Sequence, residues 1–122
     1  MKIRISKLDH LFSMAVRTRD RWTCQRCGKV YTPPTNGLHC AHIFTRSKHS
    51  TRFDFANATA FCYGCHSWMD RNPLEKYAWY VQRFGQAQFD AVRLRSNTPR
   101  KVDRVVLELM LKQYVDGNEH GG

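Results

Sequence analysis

The chain has 122 residues, room for one domain with a short appendage and not for several. Its net charge of +10 is more than solubility needs and implies an anionic partner, nucleic acid above all, while no long basic helix with exposed apolar residues suggests a membrane surface. No apolar run approaches transmembrane length and Met1-Lys2-Ile3-Arg4-Ile5-Ser6-Lys7 lacks the apolar core of a signal peptide, so the expectation is a protein without a membrane partner in a reducing cytoplasm.

Leu8, Leu11, Phe12, Ala15 and Val16 recur at helical spacing and predict a helix over 7–20. Trp22-Thr23-Cys24 leads into the pair Cys24-Gln25-Arg26-Cys27, and Pro33-Pro34-Thr35-Asn36-Gly37 reads as a turn. Residues 38–43 are short and apolar enough for a strand. The stretch 44–54 is a basic loop, and 58–61 make a second short strand running into Cys62-Tyr63-Gly64-Cys65. A helix starting near Cys65 carries His66, Trp68, Met69 and Asp70. Asn72-Pro73-Leu74-Glu75 is a helix-start signal, with Asn72 as cap and a stop at Gly85. A second helix spans 86–95, with Phe89, Val92 and Leu94 as inward candidates. A third opens at Thr98-Pro99, turning Val102, Val105, Val106, Leu109, Met110 and Gln113 inward and Lys101, Arg104, Glu108 and Lys112 outward. Residues 117–122 are expected to fray.

The two Cys-x-x-Cys pairs supply four thiolates, a tetrahedral set that suits zinc. A four-thiolate site is closed and therefore structural. In a small chain it contributes much of the folding free energy. A redox role for either pair would need a βαβ context, which is missing. The fifth cysteine, Cys40, reads as a small buried apolar residue.

Three polar residues lie in order beside these pairs: His42, Asn57 and His66. A water attacking a phosphodiester must lose a proton, and a neutral imidazole such as His42 at the end of the first strand is a suitable base. The leaving oxygen develops charge that a divalent cation stabilises. His66, fixed by the adjacent Cys65, is placed to hold that cation, with Asp70 on the same helix face. Asn57 can bond loop backbone and so orient His42. Singly, each residue has a plainer reading as a structural histidine, a turn asparagine or a surface aspartate. Their joint occurrence with the cysteine pairs is what carries weight.

Cys24-x-x-Cys27, Cys40-Ala41-His42-Ile43, Asn57 and Cys62-x-x-Cys65-His66 together resemble the HNH endonucleases of ββα-metal type with a four-Cys zinc site, over about 20–70. More narrowly, His42-Ile43-x-x-Arg46 followed by Arg52-Phe53-Asp54-x-x-Asn57 is similar to the phage NinG/Rap-type recombination endonucleases, whose helical C-terminal part looks like 72–114 here. The resemblance implies metal-dependent DNA cleavage leaving a 5′-phosphate and a 3′-hydroxyl. His42 would be the general base, Asn57 the middle asparagine, and His66 a ligand of a catalytic Mg²⁺ or Mn²⁺. Many HNH enzymes carry a metal-binding Asp or His just before the base. Here that residue is Ala41, leaving Asp54, Asp70 or His39 to compensate, although the NinG/Rap-like pattern also tends to have a small residue there.

The expected fold is α+β: a small ββα-metal HNH core stapled by a four-Cys zinc site, flanked by an N-terminal helix and a C-terminal helical segment. Residues 1–71 form the nuclease core, 72–116 a helical extension packed on it, and 117–122 a disordered tail. Arg46, Lys48 and Arg52 are expected to meet DNA phosphates beside the cut, with Arg17, Arg19, Arg21 and Arg26 as a second basic cluster. The expected protein is a phage or prophage endonuclease of recombination or packaging, a monomer or homodimer in the bacterial cytoplasm. Its rivals are a non-catalytic zinc-stabilised DNA-binding module and a protein-interaction adaptor built on the C-terminal helices.

Overall fold

The computed structural model describes residues 6–119. Among them the chain is α+β, with five α-helices and one two-stranded antiparallel sheet. The N-terminal stretch 1–5 lies outside the described residues.

Helix α1 (Lys7–Arg19) begins in a capping box: the Asp9 amide donates to the Ser6 hydroxyl at 3.2 Å, and the Ser6 amide donates to the Asp9 carboxylate at 2.7 Å. Its apolar stripe, Leu8, Phe12, Ala15 and Val16, is buried. Arg21 and Trp22 then take φ values of 57° and 54°, turning the chain out of the helix into the first cysteine knuckle. There the Cys24 amide donates to the Lys29 carbonyl at 2.9 Å, and Gly28, at φ 81°, closes the turn.

Strand β1 (Leu38–His42) pairs antiparallel with β2 (Ala58–Cys62), setting Leu38 opposite Cys62 and His42 opposite Ala58. The loop between them is closed at its mouth by the Ile43 amide donating to the Asn57 carbonyl at 2.9 Å. Helix α2 (Tyr63–Arg71) follows β2 directly, its first turn capped by the Cys62 sulfur, which accepts from the Cys65 amide at 3.4 Å.

Helices α3 (Pro73–Phe84) and α4 (Gln86–Ser96) pack on each other and on Ile43 and Phe44 through Tyr80 and Phe89. Gly85 separates them at φ 93° and ψ 155°, a conformation open to glycine almost alone. Asn72 departs from expectation: its side chain makes no cap bond and instead donates back to the Trp68 carbonyl at 2.8 Å. Leu94 is another departure, being 70% exposed.

Helix α5 (Arg104–Glu119) corrects three expectations. It starts at Arg104 and not at Thr98-Pro99, because the Asp103 carboxylate accepts from the Val105 and Val106 amides, both at 3.1 Å. It continues through Glu119, so 117–119 are helical, while 120–122 lie outside the described residues. Its inward face is Leu107, Leu111, Tyr114 and Val115, which pack against α1; Val105, Val106, Leu109 and Met110 face outward. No helix among the described residues is long and apolar enough to cross a membrane.

Candidate functional site

The knuckle between α1 and β1 and the start of α2 bring four thiols together. The Sγ atoms of Cys24, Cys27, Cys62 and Cys65 all lie within 4.8 Å of one another, with Cys27 and Cys62 3.8 Å apart. A tetrahedral ion with sulfur bonds of about 2.3 Å requires sulfur–sulfur edges of roughly 3.8 Å. The four-sulfur donor set therefore fits a metal such as zinc. Burial raises the Cys24 thiol, but backbone N–H groups of Cys27, Cys62 and Arg26 aimed at its sulfur outweigh burial and bring it down to about 7. Arg26 donates to the Cys65 sulfur at 3.4 Å and lies over the Trp68 ring at 4.3 Å. Among the described residues no other group of three or more His, Cys, Asp or Glu side chains is close enough to hold a metal.

A cleft of about 900 Å³ opens along β1, α2 and the start of the β1–β2 loop, and His39, His42, Arg46, Lys48, His66 and Asp70 all line it. His42 is fixed at one wall. Its Nε2 donates to the Arg52 carbonyl at 2.8 Å, which assigns the proton to Nε2 and leaves Nδ1 with its lone pair and no partner among the described residues. Burial, the largest influence, pushes the imidazole down to about 4, the Arg52 carbonyl works against it, and the charge of Arg46 adds to the lowering. The ring is therefore neutral near pH 7.

Asn57, fully buried, ties the loop together. Its Oδ1 accepts from the Phe44 amide at 2.8 Å, and its Nδ2 donates to the Phe44 and Thr51 carbonyls, both at 3.0 Å. The Thr51 carbonyl immediately precedes Arg52, whose own carbonyl orients His42. Asn57 thus reaches His42 through loop backbone and makes no hydrogen bond to it among the described residues.

His66, which also lines the cleft, stands between two neighbours. Its Nε2 lies 3.3 Å from the Asp70 carboxylate and its Nδ1 lies 3.0 Å from Nδ1 of His39. Burial lowers the His66 imidazole, while Asp70 raises it. Lys76, from α3, links Asp70 to His42: it pairs with Asp70 at 3.5 Å and donates to the His42 carbonyl at 3.4 Å. Sequence reasoning misses Lys76, because only the fold-back of α3 across β1 brings it here; its one-turn spacing from Asn72 gives no hint.

Several expected site residues lie elsewhere. Asp54 accepts from the Ala56 amide at 2.9 Å and pairs with Arg95 at 2.8 Å, and it does not line the cleft with His66. Arg52 is buried, its guanidinium paired with Asp9, so it does not stand beside Arg46 and Lys48 at the surface. Of the second basic cluster, Arg17 donates to the Thr35 and Leu38 carbonyls, Arg19 to those of Phe55 and Ala58, and Arg26 to the Cys65 sulfur, leaving Arg21 as its solvent-exposed cation without a partner among the described residues. Ala41 is buried among the core residues between the strands and α2, so its side chain does not enter the cleft. Cys40 is half-buried, and burial pushes its thiol up to about 12, as befits an inert packing residue.

Comparison with known proteins yields no matching family model, no matching curated protein and no matching solved structure.

Proposed function

We propose that the chain is a metal-dependent endonuclease of HNH type that hydrolyses DNA phosphodiester bonds in phage recombination or packaging. The observation that carries this reading is the state of His42: Nε2 bound to the Arg52 carbonyl, the ring held neutral, and Nδ1 unpartnered at the wall of a cleft lined by Arg46 and Lys48. A base that accepts a proton from water needs that protonation state and that free nitrogen. A phosphate entering the cleft offsets the nearby positive charge and raises the affinity of Nδ1 for the proton.

His66 and Asp70, in the same cleft, offer one nitrogen and one carboxylate oxygen, which would hold Mg²⁺ or Mn²⁺ with substrate phosphate and water completing its shell. Bound there, the cation would stabilise negative charge on the leaving oxygen. Asn57 keeps the loop that carries Arg46, Lys48 and the Arg52 carbonyl in one shape. Zinc at the four cysteines would act as a staple and take no part in cleavage.

A non-catalytic DNA-binding module is the second reading. It is favoured by the absence, among the described residues, of a second three-ligand group and by the inward-facing Ala41. Plasmid and branched-DNA cleavage with Mg²⁺, Mn²⁺ or EDTA, wild type beside His42→Ala, separates the two. Cation-dependent cutting lost in His42→Ala supports the nuclease; folded, DNA-binding protein that fails to cut under any of these conditions favours the module.

A further inference from the structure

Next to the cleft is a smaller depression of about 350 Å³ whose lining has an unusual composition. Ser47, Ser50 and Ser96 contribute hydroxyls, Asn97 an amide, and Lys48 and Arg100 cations; the wall contains no carboxylate. Lys48 lines both this depression and the cleft that holds His42. That lysine is the residue the two share.

The junction is built, not incidental. The Lys48 ammonium donates to the Asn97 side-chain oxygen at 3.1 Å, and the Ser50 hydroxyl to the Thr98 carbonyl at 2.6 Å. Beneath them the Thr51 and Ser96 hydroxyls are 2.8 Å apart and buried. These bonds stitch the β1–β2 loop to the end of α4 and the turn that leads to Arg100. Arg100 and Lys101 are exposed and enter no ion pair among the described residues. Asp54, farther along the same loop, is already neutralised by Arg95. The serine hydroxyls are spent on these internal bonds, so the donors left to a ligand are the remaining N–H groups of Lys48 and the guanidinium of Arg100, and cations with no carboxylate beside them are the chemistry that binds a phosphate oxyanion.

We propose that this depression seats a backbone phosphate of the same DNA whose scissile bond lies in the cleft, so that the strand leaves the cleft over Lys48 toward Arg100. The proposal rests on the nuclease reading for the identity of the DNA, and it adds the direction in which the substrate extends.

The test is fluorescence anisotropy of a labelled duplex, titrated at several salt concentrations with wild type, Arg100→Gln and Lys29→Gln. Lys29 is exposed on the first knuckle and serves as the equal-charge control. Arg100→Gln is expected to weaken binding several-fold and to lower the slope of log affinity against log salt by about 1, while Lys29→Gln follows wild type. An Arg100→Gln protein with wild-type affinity and slope overturns the subsite and leaves the nuclease reading standing. Equal effects from Arg100→Gln and Lys29→Gln also overturn it, since net charge alone then accounts for the loss. A wild-type protein that binds no duplex overturns the subsite and the nuclease reading together.

Discussion

Arg52 grips Asp9 through two parallel bonds, Nε to Oδ1 at 2.9 Å and Nη2 to Oδ2 at 2.6 Å, with both side chains almost wholly buried. The same Asp9 closes the capping box of α1, and the same Arg52 offers its carbonyl to His42. One ion pair therefore couples the start of the first helix to the orientation of the candidate base. Asp9→Asn should cost about 3–5 kcal/mol, because it takes the carboxylate charge out of a buried, doubly bonded ion pair. Burial alone would raise the Asp9 carboxyl, but bonds from Arg52 and Ser6 outweigh it and hold it well below the usual carboxylate range. The unfolded chain thus binds the proton more readily than the folded one. The stabilisation is present above the ordinary Asp value of about 3.9 and is lost as pH falls below it. Urea unfolding of wild type and Asp9→Asn from pH 7 to pH 3 should show the gap narrowing toward acid; a constant gap would contradict the assignment.

His42 has the opposite charge type but the same direction of pH dependence. Its folded value of about 4 lies below the unfolded value of about 6.5, so protonation favours the unfolded chain. Stability is complete above pH ~6.5 and erodes between there and pH ~4, by up to about 3 kcal/mol. An imidazole proton titration followed by NMR should find one histidine charging near pH 4. His42→Gln should flatten the stability profile between pH 6 and pH 4; a profile as steep as wild type would remove His42 as its source.

Purified protein should carry a single zinc per chain. Cys27→Ser replaces the most exposed of the four thiols and should lose the metal with a fall in melting temperature, as should treatment with a strong chelator. Elemental analysis beside thermal unfolding is the check. A metal-free protein with an unchanged melting curve would rule out the staple.

Helix α5 has two apolar stripes, and the structure turns one to α1. Leu111→Ala should cost about 2–5 kcal/mol, as expected for a buried leucine, whereas Leu109→Ala, at a side chain 57% exposed, should stay within about 0.5 kcal/mol. Equal losses at the two positions would restore the face expected from sequence.

That pair of leucines also shows where sequence stops being informative. Periodicity reports that a helix has an apolar side, and α5 has two at neighbouring angles; the choice between them is made by the α1 stripe, far away in the chain. Gly85, by contrast, is readable, because the need for a positive φ between α3 and α4 is local. So are the cysteine pairs, whose spacing places two sulfurs per turn whatever surrounds them. Arg52 reads from sequence as a phosphate contact because its true partner lies 43 residues away. Asp54 reads as a metal ligand because Arg95 reaches it from a helix that sequence can locate but not orient. His42, His66 and Asp70 share the cleft because β1 and α2 are both anchored to the cysteine knuckles.

The loop from Ile43 to Asn57 enters and leaves at one point, where the Ile43 amide meets the Asn57 carbonyl and the Asn57 side chain bonds Phe44 and Thr51. The strand register is consequently held apart from the exposed tip of the loop around Ser47, while the Arg52 end stays tied to Asp9 and His42. Lengthening a loop whose ends are already pinned costs little, since doubling its length adds only about 0.6 kcal/mol of closure entropy. Ser47, exposed and bonded only to Thr45, is the natural insertion point. The tip around Ser47 behaves as a site for grafting on a fixed frame, and residues inserted there would inherit a place at the rim of the cleft without disturbing the strand register below.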